Sequence, residues 1–415
     1  MIRTLGLVLI AVPATLQSQA VVPRAYLARD LVIDAKQIKA EGSGAVDFVT
    51  VGGDGRMIIM PRSLYGGMHG FDAKGQSLGW KLPLGGPDSE IGSVQRTGWM
   101  GDVLWIADQR FGQLVLVSPS GKVVRTIEFP SWVHPRWAER RKYPLFAAME
   151  PLALYPDSSM LVMPMRPRPV LDTPGFDRSR MTLLRINTGG AILRTVATYD
   201  IKEGRTIALK DEKGAEFSVA VPFAARRWHV VSPDGQRIAL VTPGLTEADS
   251  GTFRVTMLDD KGDTVYQRRY PQPAVRVSKF AVDSALARTV ASHGMPATQI
   301  RPVIARSIPA FRSFLTDVFV GLDRSAWVVL HPTADSARTR DALVLDEHGT
   351  PVATVQIPAG LAPLVVDREH LWAVDRAKYA LLRFTLQATP PAVAPIPAPP
   401  ARTVKASAAK SPARQ

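Results

Sequence analysis

The chain contains no cysteine. That excludes disulfides, thiolate metal sites, a thiol nucleophile and anchoring through a lipidated cysteine. Acidic residues are in deficit, 37 against 51 basic ones, leaving a formal net charge of +14. Such a balance favours acidic partners and says nothing about fold. Long apolar runs are also missing: the stretch from Leu5 to Ala14 is too short to span a bilayer. What is present is 415 residues, 46% hydrophobic and 21% charged, a composition that must bury a large core and cannot stay unfolded.

The two ends read differently from the middle. Arg3, the apolar run after it and the small residues of Ser18-Gln19-Ala20 have the form of an export signal over residues 1–20, implying a secreted or periplasmic protein with no membrane span. Residues 388–415 are rich in proline and alanine, carry Arg402, Lys405, Lys410 and Arg414, and contain no acid. This composition predicts a disordered basic tail.

Residues 21–387 between them carry an internal repeat. LWIADQRFGQLVLV (104–117) and LWAVDRAKYALLRF (371–384) share Leu-Trp at the start, Asp at the fifth position and a closing apolar strand. Short apolar strands also end before Pro61, Pro164, Pro243 and Pro332, which makes six units. Each follows a tight turn: GGDGR, MGD, YPDSS, SPDGQ, LDRSA and VDREH. Five units carry a second turn ending in Gly, the form a G1-bulge hairpin takes. Strand, turn, strand, loop, strand, turn, strand is a four-stranded antiparallel meander. The expectation is therefore an all-β chain, a six-bladed β-propeller of four-stranded antiparallel blades with one short helical insertion near 277–291. In it Val282, Leu286 and Val290 would share a helix face. The last unit lacks a strand, which the segment Tyr26–Asp34 is expected to supply.

The run GPDSEIGSVQRTGWMGDVLWIADQRFGQLVLVSPSGKVVRTI (86–127), with 228–241 and 371–384, resembles the NHL-type repeat of bacterial secreted six-bladed β-propellers. The resemblance implies fold and export but little about activity, since that fold hosts lactonases, lyases, receptors and scaffolds. Lactonases of the gluconolactonase type hold calcium with carboxylate and Asn oxygens, whereas Asn187 is the single asparagine here and falls in a turn. Amidating lyases use zinc held by histidine, yet no HxH or HExxH pairing occurs. No metal or other cofactor is expected.

In such a meander the tight turns lie on one face, while the long connections, 131–148, 164–180, 201–222, 243–251, 271–310 and 332–340, share the other. They hold nearly all of the core's excess positive charge, and they are the expected binding face. Within it, Trp132, Trp137 and Tyr143 interleave with Arg136, Arg140, Arg141 and Lys142. Such a mixture suits stacking on carbohydrate and bidentate grip on an anion, or it pins the loop to the rim. Glu150, Arg227 and Asp317 are expected at the starts of inner strands around a central channel, with His229 and His331 near its mouth. Asp108 and Asp375, at matched repeat positions, are expected to brace the loops after them. Together these features imply an exported, non-catalytic binding or scaffold propeller presenting a basic face to an anionic polymer, an envelope surface or a protein partner. Export argues against nucleic acid. The competing reading is a hydrolase or lyase, lactonase-like or amidating-lyase-like, with its site at the channel mouth.

Overall fold

The structure, a computed structural model, describes residues 22–38, 46–61, 67–85, 91–128, 148–165, 180–200, 206–210, 216–224, 228–244, 246, 248–293, 297–331 and 338–389. The expected signal segment and the tail from 390 onward lie outside these residues. The chain is built almost wholly of strands. After β1 (Arg24–Ile33) and the single turn α1 (Ala35–Ile38) come β2 (Val46–Val51), β3 (Met57–Pro61), β4 (Met68–Phe71) and β5 (Ser77–Leu82). Then follow β6 (Val94–Met100), β7 (Val103–Asp108), β8 (Gln113–Val117) and β9 (Val123–Glu128), and next β10 (Ala148–Leu154), β11 (Met160–Met165), β12 (Arg180–Ile186) and β13 (Ile192–Asp200). A separate hairpin, β14 (Thr206–Lys210) and β15 (Glu216–Ala220), precedes β16 (Trp228–Val231), β17 (Arg237–Pro243), β18 (Thr252–Asp259) and β19 (Thr264–Pro271). Two helices, α2 (Lys279–His293) and α3 (Ala297–Ser307), lead to β20 (Leu315–Val320), β21 (Ala326–Leu330), β22 (Thr339–Leu345) and β23 (Pro351–Pro358). The last strands are β24 (Leu361–Val366), β25 (His370–Asp375) and β26 (Ala380–Gln387).

Strands β2–β5, β6–β9, β10–β13 and β16–β19 form four separate four-stranded antiparallel sheets, each paired in sequence order. The remaining large sheet has eight strands, in the order β20-β21-β22-β23-β1-β26-β25-β24. Its two halves are antiparallel throughout. They join only where Arg24 and Ala25 of β1 run parallel to Thr354 and Val355 of β23. As expected, β1 adds itself to the last meander, pairing with β26 from Tyr26 opposite Gln387 to Ile33 opposite Leu381.

The sheets are arranged propeller-like. First strands approach one another, β6 against β10, β16 against β20, β20 against β24, and β24 against β2. Both faces of each sheet are apolar, because each meets a neighbour. Ile58, Met68, Trp99 and Leu104 fill the space between β2–β5 and β6–β9. Trp105, Leu114, Met160 and Val162 join β6–β9 to β10–β13, and Leu161, Leu183, Ile238 and Leu258 join β10–β13 to β16–β19. Val255, Met257, Val320 and Val328 continue the series, followed by Trp327, Val344, Val366 and Ala373. Ile33, Trp372 and Leu381 then pack against Met57 and Phe71 of the first sheet. Burying such a side chain is worth about 1.5–3 kcal/mol, so these layers supply most of the favourable free energy of folding.

The Asp residues of the tight turns act as the sequence suggests. Asp54, Asp72, Asp157, Asp234, Asp259, Asp323 and Asp346 each accept a hydrogen bond from the backbone N–H two residues on. This closes an Asx turn. Gly235 adds a packing constraint: its φ is 74°, and a Cβ there would lie 2.4 Å from the Cβ of Ala153 in the adjacent sheet.

The helical insertion differs from expectation. The single predicted helix is α2, but α3 follows it with Pro302 inside, and the β14–β15 hairpin arises from the preceding inter-sheet link. The two insertions pack together: Val219, Leu286 and Ile304 are buried against Ile207, Val282, Val290 and Ile308. They form a small satellite core where neither could bury its own apolar face alone.

Candidate functional site

Antiparallel meanders place the first and third turns of every sheet at one end, and the second loops and inter-sheet links at the other. At this loop end lies a cavity of about 200 Å³ lined by Phe223, Ala224, Arg312, Ser313, Leu315 and His331. Three stretches far apart in sequence build it. The first is the turn after β15, where Phe223 takes a left-handed φ of 61°. For a bulky side chain that is a strained conformation, the kind that persists where surrounding structure holds it. The second is the approach to β20, where the Arg312 N–H donates to the Val275 carbonyl and Arg276 pairs with Phe311. The third is the residue after β21, where the His331 N–H donates to the Phe314 carbonyl. The hydroxyl of Ser313 is buried and has no hydrogen-bond partner among the described residues. A guanidinium, an imidazole and a spare hydroxyl beside an apolar wall can hold a small anionic group.

Of the residues singled out in the sequence, His331 lines this cavity. The others within the described residues have different surroundings. The Nδ1 of His229 lies 2.6 Å from the Tyr199 hydroxyl, with the rings 5.3 Å apart, so the imidazole is held between two sheets. Asp317 forms a 3.6 Å ion pair with Arg340, which donates to the Leu361 carbonyl at 2.7 Å and ties β22 to the start of β24. Glu150 is half-buried on β10 beside β6. There, burial holds the Arg96 guanidinium below its ordinary value, and the Glu150 charge opposes that shift. Trp132, Arg136, Trp137, Arg140, Arg141, Lys142, Tyr143 and Arg227 lie outside the described residues. Sequence reasoning missed Arg312, Ser313 and Phe223. The available signal was Arg312's position shortly before the inner strand β20.

Asp108 and Asp375 brace loops. Asp108, fully buried, accepts from the N–H groups of Gly92 at 2.7 Å, Ser93 at 3.0 Å and Arg110 at 2.9 Å. Asp375 accepts from Ala377 at 2.9 Å and Lys378 at 3.2 Å.

The turn end also holds a cavity, about 340 Å³, lined by turns of several sheets, among them Gly53, Met100, Pro156, Asp234 and Leu322. Trp99 closes its floor, donating from Nε1 to Thr50 Oγ1 and from its backbone N–H to the Pro233 carbonyl, both at 2.8 Å. Among the described residues no cluster of His, Asp and Glu could hold a metal ion, and no helix is long and apolar enough to cross a membrane.

No protein-family model matches the chain, and no curated protein matches it. Among solved structures it is similar to a catalytically inactive virginiamycin B lyase from Staphylococcus aureus, with 11% identity, a TM-score of 0.39, and coverage of 86% of this chain and 99% of that one. It is similar to regucalcin, a calcium-binding protein from Agrobacterium tumefaciens, at 9% identity and a TM-score of 0.37 over 86% and 93% of the two chains. A protein of the duf4221 family from Bacteroides vulgatus gives 13% identity and 0.40 over 88% and 98%. The propeller-like arrangement rests on the strand pairing and core packing of this chain itself.

Proposed function

We propose that this chain is an exported six-bladed β-propeller of the NHL-repeat type that binds an anionic ligand at its loop end, in the cavity beside Arg312 and His331. The blade count is supported by counting β20–β23 and the β1-completed β24–β26 as separate blades beside the four other sheets, and by apolar clusters that join each to the next and the last to the first. The observation that carries the binding reading is the convergence of Arg312, Ser313 and His331 on one cavity at the loop end. A charge-assisted hydrogen bond from a guanidinium is worth about 1.5–3 kcal/mol. Arg312→Ser is therefore expected to weaken binding of polygalacturonate, a polymer of sugar acids, about tenfold or more at low salt, measured on protein that retains its cooperative unfolding. Equal binding by Arg312→Ser, His331→Ala and the parent protein overturns the assignment.

The second reading, a hydrolase or lyase using the same cavity, is favoured by one observation: the Ser313 hydroxyl, without a hydrogen-bond partner among the described residues, shares the cavity with an imidazole. Turnover of lactone or ester substrates that disappears in both Ser313→Ala and His331→Ala, with folding intact, would establish it. Activity that survives both changes would exclude this cavity as the catalytic site.

A further inference from the structure

Among the described residues, the end of the α2–α3 pair at which α2 begins and α3 ends carries exposed apolar side chains. Residues 275–277 run beside 310–312, through the Arg276–Phe311 bridge and the hydrogen bonds Val277 N–H to Ala310 and Arg312 N–H to Val275. This brings the start of α2 next to the end of α3. At that end Phe280 is 81% exposed, the most exposed large apolar side chain among the described residues. Val275 and, one turn before the end of α3, Val303 are exposed as well. Single exposed apolar residues are ordinary, but here they share an end with three exposed cations, Arg276, Lys279 and Arg306. The segment 272–314 as a whole has six basic residues against one acid, Asp283, which sits a turn further along α2.

We infer that this end of the α2–α3 pair docks on an anionic lipid bilayer, with Phe280 entering the interface between headgroups and acyl chains. The occupant follows from the mixture. A soluble polyanion satisfies Arg276, Lys279 and Arg306 but leaves the Phe280 ring in water. An anionic bilayer takes both, since its headgroups pair with the cations and its interface accepts the ring. Val219, Leu286 and Ile304 fix the two helices against the β14–β15 hairpin, so the exposed side chains are presented without unfolding anything. The inference does not rest on the cavity beside His331.

Because the chain has no cysteine, Phe280→Cys creates a unique thiol for an environment-sensitive fluorophore. Ile192→Cys, 52% exposed at the start of β13 and therefore at the turn end, supplies the control. With vesicles of phosphatidylglycerol and phosphatidylcholine, the probe at 280 is expected to shift to the blue and the probe at 192 to stay unchanged, with neither responding to pure phosphatidylcholine. In co-sedimentation of the unlabelled protein, Phe280→Ser is expected to lower the affinity about tenfold, and the joint change of Lys279 and Arg306 to Ser by more. Arg312→Ser should bind vesicles like the parent. The inference is overturned if position 280 gives no shift, if both probes respond alike, or if Phe280→Ser leaves vesicle affinity unchanged. It is also overturned if the only effect of Phe280→Ser is to abolish a self-associated species in sedimentation velocity, which would assign the patch to a second copy of the chain.

Discussion

Two tyrosines in one interface show how much the fate of a single polar atom decides. Tyr270 donates its hydroxyl to the Gly349 carbonyl at 2.6 Å, while the buried hydroxyl of Tyr266 beside it has no partner among the described residues. Tyr270→Phe leaves that carbonyl with only the long 3.5 Å contact from Arg268 and should cost about 1 kcal/mol in urea unfolding at neutral pH. Tyr266→Phe removes an unsatisfied group and should be neutral or stabilising. Burial pushes the Tyr266 hydroxyl up to about 12 and raises Tyr155 and Tyr270 as well. Their folded forms hold the proton more tightly than the unfolded chain, whose tyrosines ionise near pH 10. The associated stability is therefore complete below about pH 10 and is lost as pH rises from there through the folded values. Unfolding midpoints measured from pH 8 to 12 should fall above 10, and less steeply in Tyr266→Phe. An unchanged slope in that variant would remove Tyr266 from the account. Asp108 is the opposite case, a buried carboxylate whose charge is met by several backbone N–H groups. Asp108→Ala leaves those donors stranded and should destabilise the protein by about 3 kcal/mol or more.

At the level of the element, the turns were the most legible part of the sequence and the insertions the least. Asp and Gly have one physical job in a tight turn, so SPDGQ and GGDGR announced their structure. Two turns depart from the pattern. In the turns after β10 and β20 the residue that closes the hydrogen bond is Ser158, with φ 62°, and Arg324, with φ 69°, where the turns after β2 and β16 have Gly55 and Gly235. A left-handed conformation costs a residue with a Cβ about 1 kcal/mol relative to Gly. Ser158→Gly and Arg324→Gly should each raise stability by about 0.5–1 kcal/mol, since the exposed Arg324–Glu347 contact of 3.8 Å contributes little. A fall in the unfolding midpoint of either variant would contradict this. The helix α3 and the β14–β15 hairpin escaped the sequence reading for a reason of the same kind. Pro302 inside α3 reads as a break, and the apolar faces of both elements make sense only once they meet each other. The cavity beside His331 was illegible for the same cause at longer range, because residues 223–224, 312–315 and 331 converge only in the folded chain.

For the whole molecule the decisive contact is the one farthest apart in sequence. Strand β1 is drawn from the start of the chain to complete the last meander, and its register with β26 is secured by side chains as well as backbone. Arg383 pairs with Asp30 at 3.0 Å and also donates to the Ala73 carbonyl at 2.8 Å, which ties the closure to the first sheet. Ile33, fully buried, packs in the cluster that also contains Met57, Phe71 and Trp372. Each sheet therefore depends on the neighbour on either side, and removing the closing strand opens the interface that holds first and last together. Deleting residues 24–33 should do more than lower stability by the area of one strand. It exposes the backbone edge of β26 along its length, a template for pairing with other chains. The expected outcome is a protein that aggregates and has lost a single cooperative melt, measured by calorimetry and light scattering. Arg383→Ala should shift the melt downward while keeping it cooperative. If the shortened chain instead melts in one sharp transition and stays monomeric, β1 is an ornament on the edge of β26, and the molecule is held together without its closing strand.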